Sequence, residues 1–131
     1  MAAAVLLVED DTDTREVVCS LLEEEGYQPM LAADGKEAIE YLSSCDEPPC
    51  LVLLDLHMPR LDGRDVLGWM RTQPRYGGVP VALLTASSRT AAAEVAANFR
   101  DHVIEVLQKP FDIDHVLDLI DAHCAAAQPA A

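Results

Sequence analysis

Basic side chains are scarce in this sequence. Lysine and arginine together number 9 among 131 residues, against 23 aspartates and glutamates, which leaves a formal net charge of −14 at pH 7. Nucleic acids and anionic membrane surfaces both favour proteins rich in lysine and arginine, so we expect neither as a partner. The acidic surface fits either simple solubility or a partner with a basic patch, and the charge alone leaves both open.

Long apolar segments and low-complexity linkers are also absent. The opening MAAAVLLV is apolar for only a few residues, lacks a basic leading segment and is followed by three acids. This pattern fits neither a signal peptide nor a membrane span, and we expect a cytoplasmic protein. The length and the 50% hydrophobic content predict one packed domain over residues 1–124, followed by an Ala/Pro-rich tail at 125–131 that frays.

The four cysteines lack any spacing typical of a metal site or a disulfide framework. No Cys-x-x-Cys occurs, and no histidine pair accompanies Cys45 and Cys50 to complete a zinc site. We therefore expect reduced thiols, as in most cytosolic proteins.

What the sequence does contain is a set of short apolar runs, four of which lead into a chemically useful residue. The runs at 5–8, 51–54, 81–84 and 103–108 are followed by Glu9 and Asp10, by Asp55, by Thr85 and by Lys109. Such runs between amphipathic helices are typical of parallel strands buried on both faces. With a further strand at about 28–32, they predict a doubly wound α/β sheet of five parallel strands with five helices.

Apolar residues at helical spacing predict the elements between the strands. We expect the first helix from about Thr14 to Glu25, with Gly26 as its stop, and Asp34 as the cap of the second helix. Alanine-rich residues 88–99 predict the fourth helix, and the last is expected to begin at Asp112. The inward face of the first helix should carry Val17, Val18, Leu21 and Leu22.

The acids after the first and third runs predict a cation site. In parallel sheets ligands bind at the carboxyl ends of the strands, so Glu9, Asp10 and Asp55 should lie close together. A pair of like charges 4 Å apart repels by about 4 kcal/mol at an effective dielectric near 20, so either an acid takes up a proton or a divalent cation neutralises the cluster. Hard oxygen ligands that leave room for water favour Mg²⁺. Taken alone, the first acids could simply cap a helix, as we expect of Asp11 and Asp13.

Asp55 has no helix to cap directly after it. A carboxylate at the end of a buried strand is costly unless it has a cation or a chemical role. Beside Mg²⁺ it can attack phosphorus and form an acyl phosphate. Thr85 then supplies a hydroxyl donor and Lys109 a positive charge, although each alone could be an ordinary strand residue or a solvated lysine.

The motifs VLLVEDD, LLDLHMPRLDG, LLTA and QKPF, in this order, resemble the receiver domain of bacterial response regulators, the CheY-like family. The resemblance covers about residues 5–124 and implies a flavodoxin-like sheet with strand order 2-1-3-4-5. It implies that a histidine kinase or phosphotransfer protein phosphorylates Asp55 and that Thr85 and Lys109 contact the phosphoryl oxygens. It further implies a cis bond between Lys109 and Pro110, and a Mg²⁺ ion bound by Asp10, Asp55 and the backbone carbonyl of His57, with Glu9 assisting through a metal-bound water.

Three features depart from the family pattern. Glu9 stands where many members have aspartate, and Val106 stands where the family's switch usually rotates an aromatic ring. The segment AANFRDHVIEV lacks the usual Gly-Ala before the fifth strand. These departures concern the output of the switch rather than the phosphorylation chemistry.

Three functions follow as hypotheses. The first is a phosphorylation switch, not an enzyme, that changes a surface read by a downstream protein, with His57 and Ser87 placed to tune hydrolysis. The second is an interaction module of the same fold that does not depend on phosphate. The third is a metal-dependent phosphatase, which usually has a second acid where His57 stands. Whether the protein acts alone or is part of a longer hybrid kinase is left open.

Overall fold

The computed structural model describes residues 4–58, 61–76, 78–86, 89–109 and 112–124, with the backbone alone for residues 89 and 90. Strands and helices alternate along the chain as predicted. The strands are β1 (Ala4–Val8), β2 (Gln28–Ala32), β3 (Leu51–Asp55), β4 (Val81–Thr85) and β5 (Val103–Gln108). The helices are α1 (Thr12–Glu24), α2 (Gly35–Ser44), α3 (Gly63–Arg71), α4 (Arg89–Asn98) and α5 (Ile113–Cys124), with a short 3₁₀ turn at Pro74–Tyr76.

All five strands are parallel and lie in the order β2-β1-β3-β4-β5, which confirms the predicted sheet. After β1 the chain adds β2 on one side and then crosses to add β3 on the other. The carboxyl ends of β1 and β3 are therefore neighbours at the point where the strand order reverses, which is where open α/β sheets bind ligands.

Each face of the sheet has its own hydrophobic core, because successive side chains of a strand point to opposite faces. One core unites alternate strand residues such as Leu6 and Leu54 with side chains of α2, α3 and α4. The other unites the intervening residues, such as Leu7 and Leu53, with α1 and α5. The result is the three-layer arrangement that the apolar runs predict.

Aspartates precede four of the described helices, and before α5 the Asp112 carboxylate accepts a hydrogen bond from the Asp114 amide at 2.9 Å. Asp11 accepts a hydrogen bond from the Thr14 amide and starts α1 at Thr12, earlier than the predicted Thr14. Asp34 caps α2 as predicted, and Asp62 shares a reciprocal capping box with Asp65 at the start of α3. Each cap satisfies an amide that the first helical turn leaves without a partner.

The predicted inward face of α1 is partly wrong. Val18 and Leu22 are buried, but Val17 is 55% exposed. One residue corresponds to a rotation of about 100° around a helix, and α1 covers the sheet with a narrower stripe than the sequence indicates. Gly26 follows α1 with φ at +87°, a conformation that favours glycine, so the predicted stop is confirmed.

The expectation of four reduced thiols is also wrong. Cys50 and Cys124 form a disulfide with their Cα atoms 5.3 Å apart and a sequence separation of 74, whereas Cys19 and Cys45 are free. The fold brings the residue before β3 beside the last residue of α5, and this proximity has no trace in the spacing of the cysteines.

Some predictions lie outside the described residues. These are the Lys109–Pro110 peptide bond, the placement of Ser87, and the tail at 125–131. Among the described helices, none is long and apolar enough to cross a membrane.

Candidate functional site

Three carboxylates meet at the carboxyl ends of β1 and β3. Glu9 and Asp10 follow β1, Asp55 ends β3, and one oxygen from each lies within 4.8 Å of the others. Glu9 and Asp55 are 0% and 4% exposed, whereas Asp10 is exposed to solvent. The structure thus brings together the three acids that the sequence assigns to a cation site.

Lys109 joins the same cluster from the residue after β5. Its Nζ lies 2.7 and 2.9 Å from the two carboxylate oxygens of Glu9 and 3.3 Å from Oδ2 of Asp55. The Lys109 amide donates to the carbonyl of Thr85 at 2.7 Å, which ties the end of β5 to the end of β4. One ammonium facing three carboxylates leaves an excess of negative charge that a further cation can neutralise.

Burial perturbs the ionisation of this cluster. It raises the pKa of Glu9 to about 7, opposed by the hydrogen bond from Lys109 and reinforced by the neighbouring Asp55. Burial lowers the pKa of Lys109, but its hydrogen bond to Glu9 and the charges of Asp55 and Glu9 outweigh that effect and leave the pKa above its usual value. Without a metal ion, a proton on Glu9 is therefore one way to relieve the repulsion between the acids.

Backbone contacts hold Asp55 in place. Its Oδ1 accepts a hydrogen bond from the His57 amide at 3.1 Å, and the Leu56 amide donates to the Leu84 carbonyl of β4 at 2.9 Å. A Cβ added to Gly63 would lie 2.9 Å from the Asp55 carbonyl oxygen, so only glycine permits this approach. The His57 peptide lies next to the carboxylate, while its side chain is exposed; the metal-binding role of its carbonyl stays a prediction.

Thr85 ends β4 at the same edge of the sheet and is fully buried. The strand register pairs Asp55 with Leu84, so Thr85 lies one position beyond the level of Asp55 on the neighbouring strand. Val106 lies farther back on β5, where it is half-buried against the core beneath α4.

Arg15 is a contributor that the sequence reasoning missed. Its Nη1 donates to the carbonyl oxygen of Glu9 at 2.8 Å, and the Glu9 amide donates to the Ala32 carbonyl of β2 at 3.0 Å. These two bonds restrain the backbone on both sides of the Glu9 Cα atom, directly before Asp10. A basic residue one turn into the helix that follows an acidic loop is the only sequence feature that could have indicated it.

The donor set fits a hard divalent cation. Mg²⁺ takes oxygen ligands at roughly 2.0–2.1 Å, so oxygens on opposite sides of the ion are about 4.2 Å apart. The span of up to 4.8 Å among the carboxylate oxygens is close to that distance. Exposed Asp10 keeps one side of the cluster open to water, which Mg²⁺ usually retains in its coordination shell. The cluster can therefore hold a metal ion beside a buried carboxylate and an ammonium.

The family model described as "Response regulator receiver domain" matches residues 5–121 of this chain. An uncharacterized 14.6 kDa protein of Leptolyngbya boryana is 34% identical over 129 residues, which cover 97% of this chain and 94% of that protein. The response regulator protein FleR of Pseudomonas aeruginosa is 36% identical over 129 residues, covering 98% of this chain but 26% of FleR. This chain thus spans about a quarter of the length of FleR.

A solved structure gives the same comparison in three dimensions. The receiver domain of the sensor histidine kinase PA1611 from Pseudomonas aeruginosa superimposes with a TM-score of 0.83 at 26% identity, covering 95% of this chain and 99% of that one. In that structure a magnesium ion is coordinated in the active-site cleft.

Proposed function

We propose, because this chain belongs to the response regulator receiver domain family, that Asp55 accepts a phosphoryl group from a phosphohistidine with the help of Mg²⁺. The donor would be a histidine kinase or a histidine phosphotransfer protein. The resulting aspartyl phosphate would switch a surface that a downstream protein reads. Since such kinases use ATP, we infer that the protein acts in the cytoplasm.

A single observation carries this proposal. Lys109 reaches two buried carboxylates, Glu9 and Asp55, next to an exposed third, Asp10. A structural ion pair needs one partner for the lysine, and further buried acids only add repulsion. Acids and an ammonium crowded at an open strand end are instead suited to neutralising the charge of a phosphoryl group.

The residues divide the transfer among them. The Asp55 carboxylate forms the new bond to phosphorus while the bond between phosphorus and the imidazole nitrogen breaks, and the electron pair stays with the imidazole. Lys109 shifts from Asp55 and Glu9 toward a phosphoryl oxygen, and the Thr85 hydroxyl donates to another. A Mg²⁺ ion bound by Asp10, Asp55 and the His57 carbonyl, with Glu9 assisting through a metal-bound water, would supply further positive charge to the phosphoryl oxygens.

We infer that the protein is a phosphoacceptor rather than an enzyme that turns over external substrates. The exposed side chain beside Asp55 is His57, where a phosphatase of the aspartyl type would need a second acid to protonate a leaving group. Loss of the phosphoryl group would then depend on water that reaches Asp55.

A phosphate-independent interaction module is the second candidate. It is favoured by Val106, whose half-buried side chain cannot swing as an aromatic ring does. This candidate does not explain why Lys109 lies within hydrogen-bonding distance of both Glu9 and Asp55.

Intact mass spectrometry after incubation with acetyl phosphate and Mg²⁺ tests the proposal. We expect one added phosphoryl group in the wild type, none in Asp55→Asn, and normal uptake in Asp46→Asn, which changes an exposed aspartate away from the cluster. No mass gain in the folded wild type with this donor, or with a phosphorylated histidine phosphotransfer protein, would favour the interaction module. Sustained hydrolysis of unrelated phosphoesters would favour the phosphatase.

A further inference from the structure

The disulfide lies at the amino-terminal end of β3, whereas the acid cluster lies at the carboxyl ends of the strands. It connects β3 to α5. Cys50 directly precedes β3, whose other end carries Asp55, and Cys124 is the last residue of α5. Five residues of β3 separate the two ends, a distance of about 16 Å. The disulfide is therefore remote from Asp55, and it constrains the start of β3 and the end of α5.

The two sulfur-bearing residues differ in their access to solvent. Cys124 is 0% exposed and belongs to the core between α5 and the sheet, together with Val116 and Ile120. Cys50 is only half-buried, and its amide is fixed to the Ala4 carbonyl of β1 at 2.9 Å. A small thiol or disulfide can thus reach Cys50 first, while Cys124 stays behind it.

We propose that Cys50 and Cys124 form a reversible thiol–disulfide site that fastens the last turn of α5 to β3 when oxidised and releases it when reduced. To close the site, the Cys50 thiolate attacks a low-molecular-weight disulfide and expels one thiol. The Cys124 thiolate then displaces the second, which forms the Cys50–Cys124 bond. The small disulfide takes up the two electrons and the two protons that the cysteine pair loses.

Reduction should loosen α5 without unfolding it. The helix keeps its apolar contacts through Val116 and Ile120, and Asp121 still accepts a hydrogen bond from the Tyr27 hydroxyl. Only the last turn loses its covalent attachment. Because most intracellular compartments keep thiols reduced, closing of the site would report a shift to oxidising conditions.

The pairing is tested by alkylation of the full chain under denaturing conditions after treatment with oxidised glutathione or with dithiothreitol. After oxidation we expect label on Cys19 and Cys45 but not on Cys50 or Cys124, and after reduction we expect label on all four. Equal labelling of Cys50 and Cys124 in both states would overturn the proposal.

The effect on α5 is tested by hydrogen exchange on the same two samples. At short labelling times, at which amides that open only by global unfolding stay protected in both samples, we expect the amides of residues 120–124 to exchange at least about tenfold faster in the reduced protein, with no change around Glu9 and Asp55. The double variant Cys19→Ser/Cys45→Ser should keep this response, and Cys50→Ser should lose it. Identical exchange of α5 in oxidised and reduced wild type would overturn the proposal even if Cys50→Ser failed to fold.

Discussion

Arg15 restrains the one member of the acid cluster that faces solvent. Its guanidinium holds the Glu9 carbonyl, which belongs to the same peptide unit as the Asp10 amide. Within the described part of the chain, no side chain or amide donates a hydrogen bond to the Asp10 carboxylate itself. The direction in which Asp10 points therefore depends on the backbone that Arg15 fixes.

Replacing Arg15 with methionine separates positioning from simple electrostatics. Removal of a positive charge near the acids should by itself strengthen Mg²⁺ binding, whereas loss of the restraint should weaken it. We expect about tenfold weaker Mg²⁺ binding in calorimetric titration, typical of lost support behind a metal ligand, with partial recovery in Arg15→Lys. The control Lys36→Met removes an exposed positive charge from the first turn of α2 and should bind slightly more tightly. Equal or tighter binding by Arg15→Met would contradict the positioning role.

Glu9 makes the stability of the metal-free protein depend on pH. Burial raises its pKa from 4.5 to about 7, so between these values the folded state binds more protons than the unfolded state. Protonation of Glu9 therefore stabilises the folded state less and less as pH rises through this window. Above a pH of about 7, Glu9 causes no further loss of stability. With a metal chelator present, the urea concentration at the midpoint of unfolding of the wild type should decline between pH 5 and 7 relative to that of Glu9→Gln. Parallel curves for the two proteins would contradict this, and the exposed Glu16→Gln should follow the wild type.

At the level of single residues, the sequence predicted the members of the site better than their supports. Glu9, Asp55 and Lys109 could be identified because each follows an apolar run at a strand end. Arg15 could not, because a hydrogen bond to a backbone carbonyl leaves no pattern in the sequence. The residue roles in phosphoryl transfer stay predictions until the experiments above are done.

The start of α3 fixes the loop after the phosphoacceptor. The Gly63 amide donates to the Leu56 carbonyl at 3.1 Å, and an added Cβ would press on backbone atoms of Asp55 and Leu56. These backbone atoms cannot move away easily, because the Leu56 amide is hydrogen-bonded to the Leu84 carbonyl of β4. The structure therefore requires glycine at position 63 because backbone atoms of Asp55 and Leu56 approach it closely, and helix propensity does not explain this choice of residue.

Two alanine substitutions in α3 test this reading. Gly63→Ala should lower the free energy of unfolding by about 1–3 kcal/mol, the usual cost of overpacking. Gly68→Ala, where an added Cβ meets nothing within 4 Å, should raise it by about 0.5–1 kcal/mol through better helix propensity. Urea denaturation of both variants provides the measurement. A neutral or stabilising Gly63→Ala would show that the loop can move.

The elements themselves were predictable because their signals are local. Apolar spacing located all five helices, aspartates precede four of them, and Gly26 ends α1. The start of α1 and the exposure of Val17 were missed, because the width of a buried helix face is decided by the sheet beneath it. Periodicity within one helix cannot contain that information.

At the scale of the whole molecule, the strand order and the disulfide were the features that the sequence predicted least well. The alternation of runs predicted a parallel sheet, but the order β2-β1-β3-β4-β5 came only from the resemblance to receiver domains. The disulfide was missed because a sequence separation of 74 residues carries no pairing preference. Only the complete fold brings Cys50 to Cys124.

Reduction of this bond should lower the stability of the entire domain. Closing a loop of 74 residues restricts the unfolded chain and contributes about 4 kcal/mol on the chain-entropy account. We expect the melting temperature to fall by on the order of 10 °C after reduction, while Cys19→Ser responds like the wild type. Calorimetric scans with and without dithiothreitol supply the comparison. An unchanged melting temperature would mean that the bond does not constrain the unfolded chain.

Borohydride trapping of the phosphorylated protein tests the central claim most directly, since hydride converts an aspartyl phosphate to homoserine. After incubation with acetyl phosphate and Mg²⁺, then borohydride and proteolysis, peptide sequencing by mass spectrometry should find homoserine at position 55. It should be absent when Mg²⁺ is chelated. Homoserine at position 10 or 5-hydroxynorvaline (the product expected from a glutamyl phosphate) at position 9 instead, or a phosphorylated protein with no homoserine at position 55, would contradict the assignment of Asp55 as the phosphoacceptor.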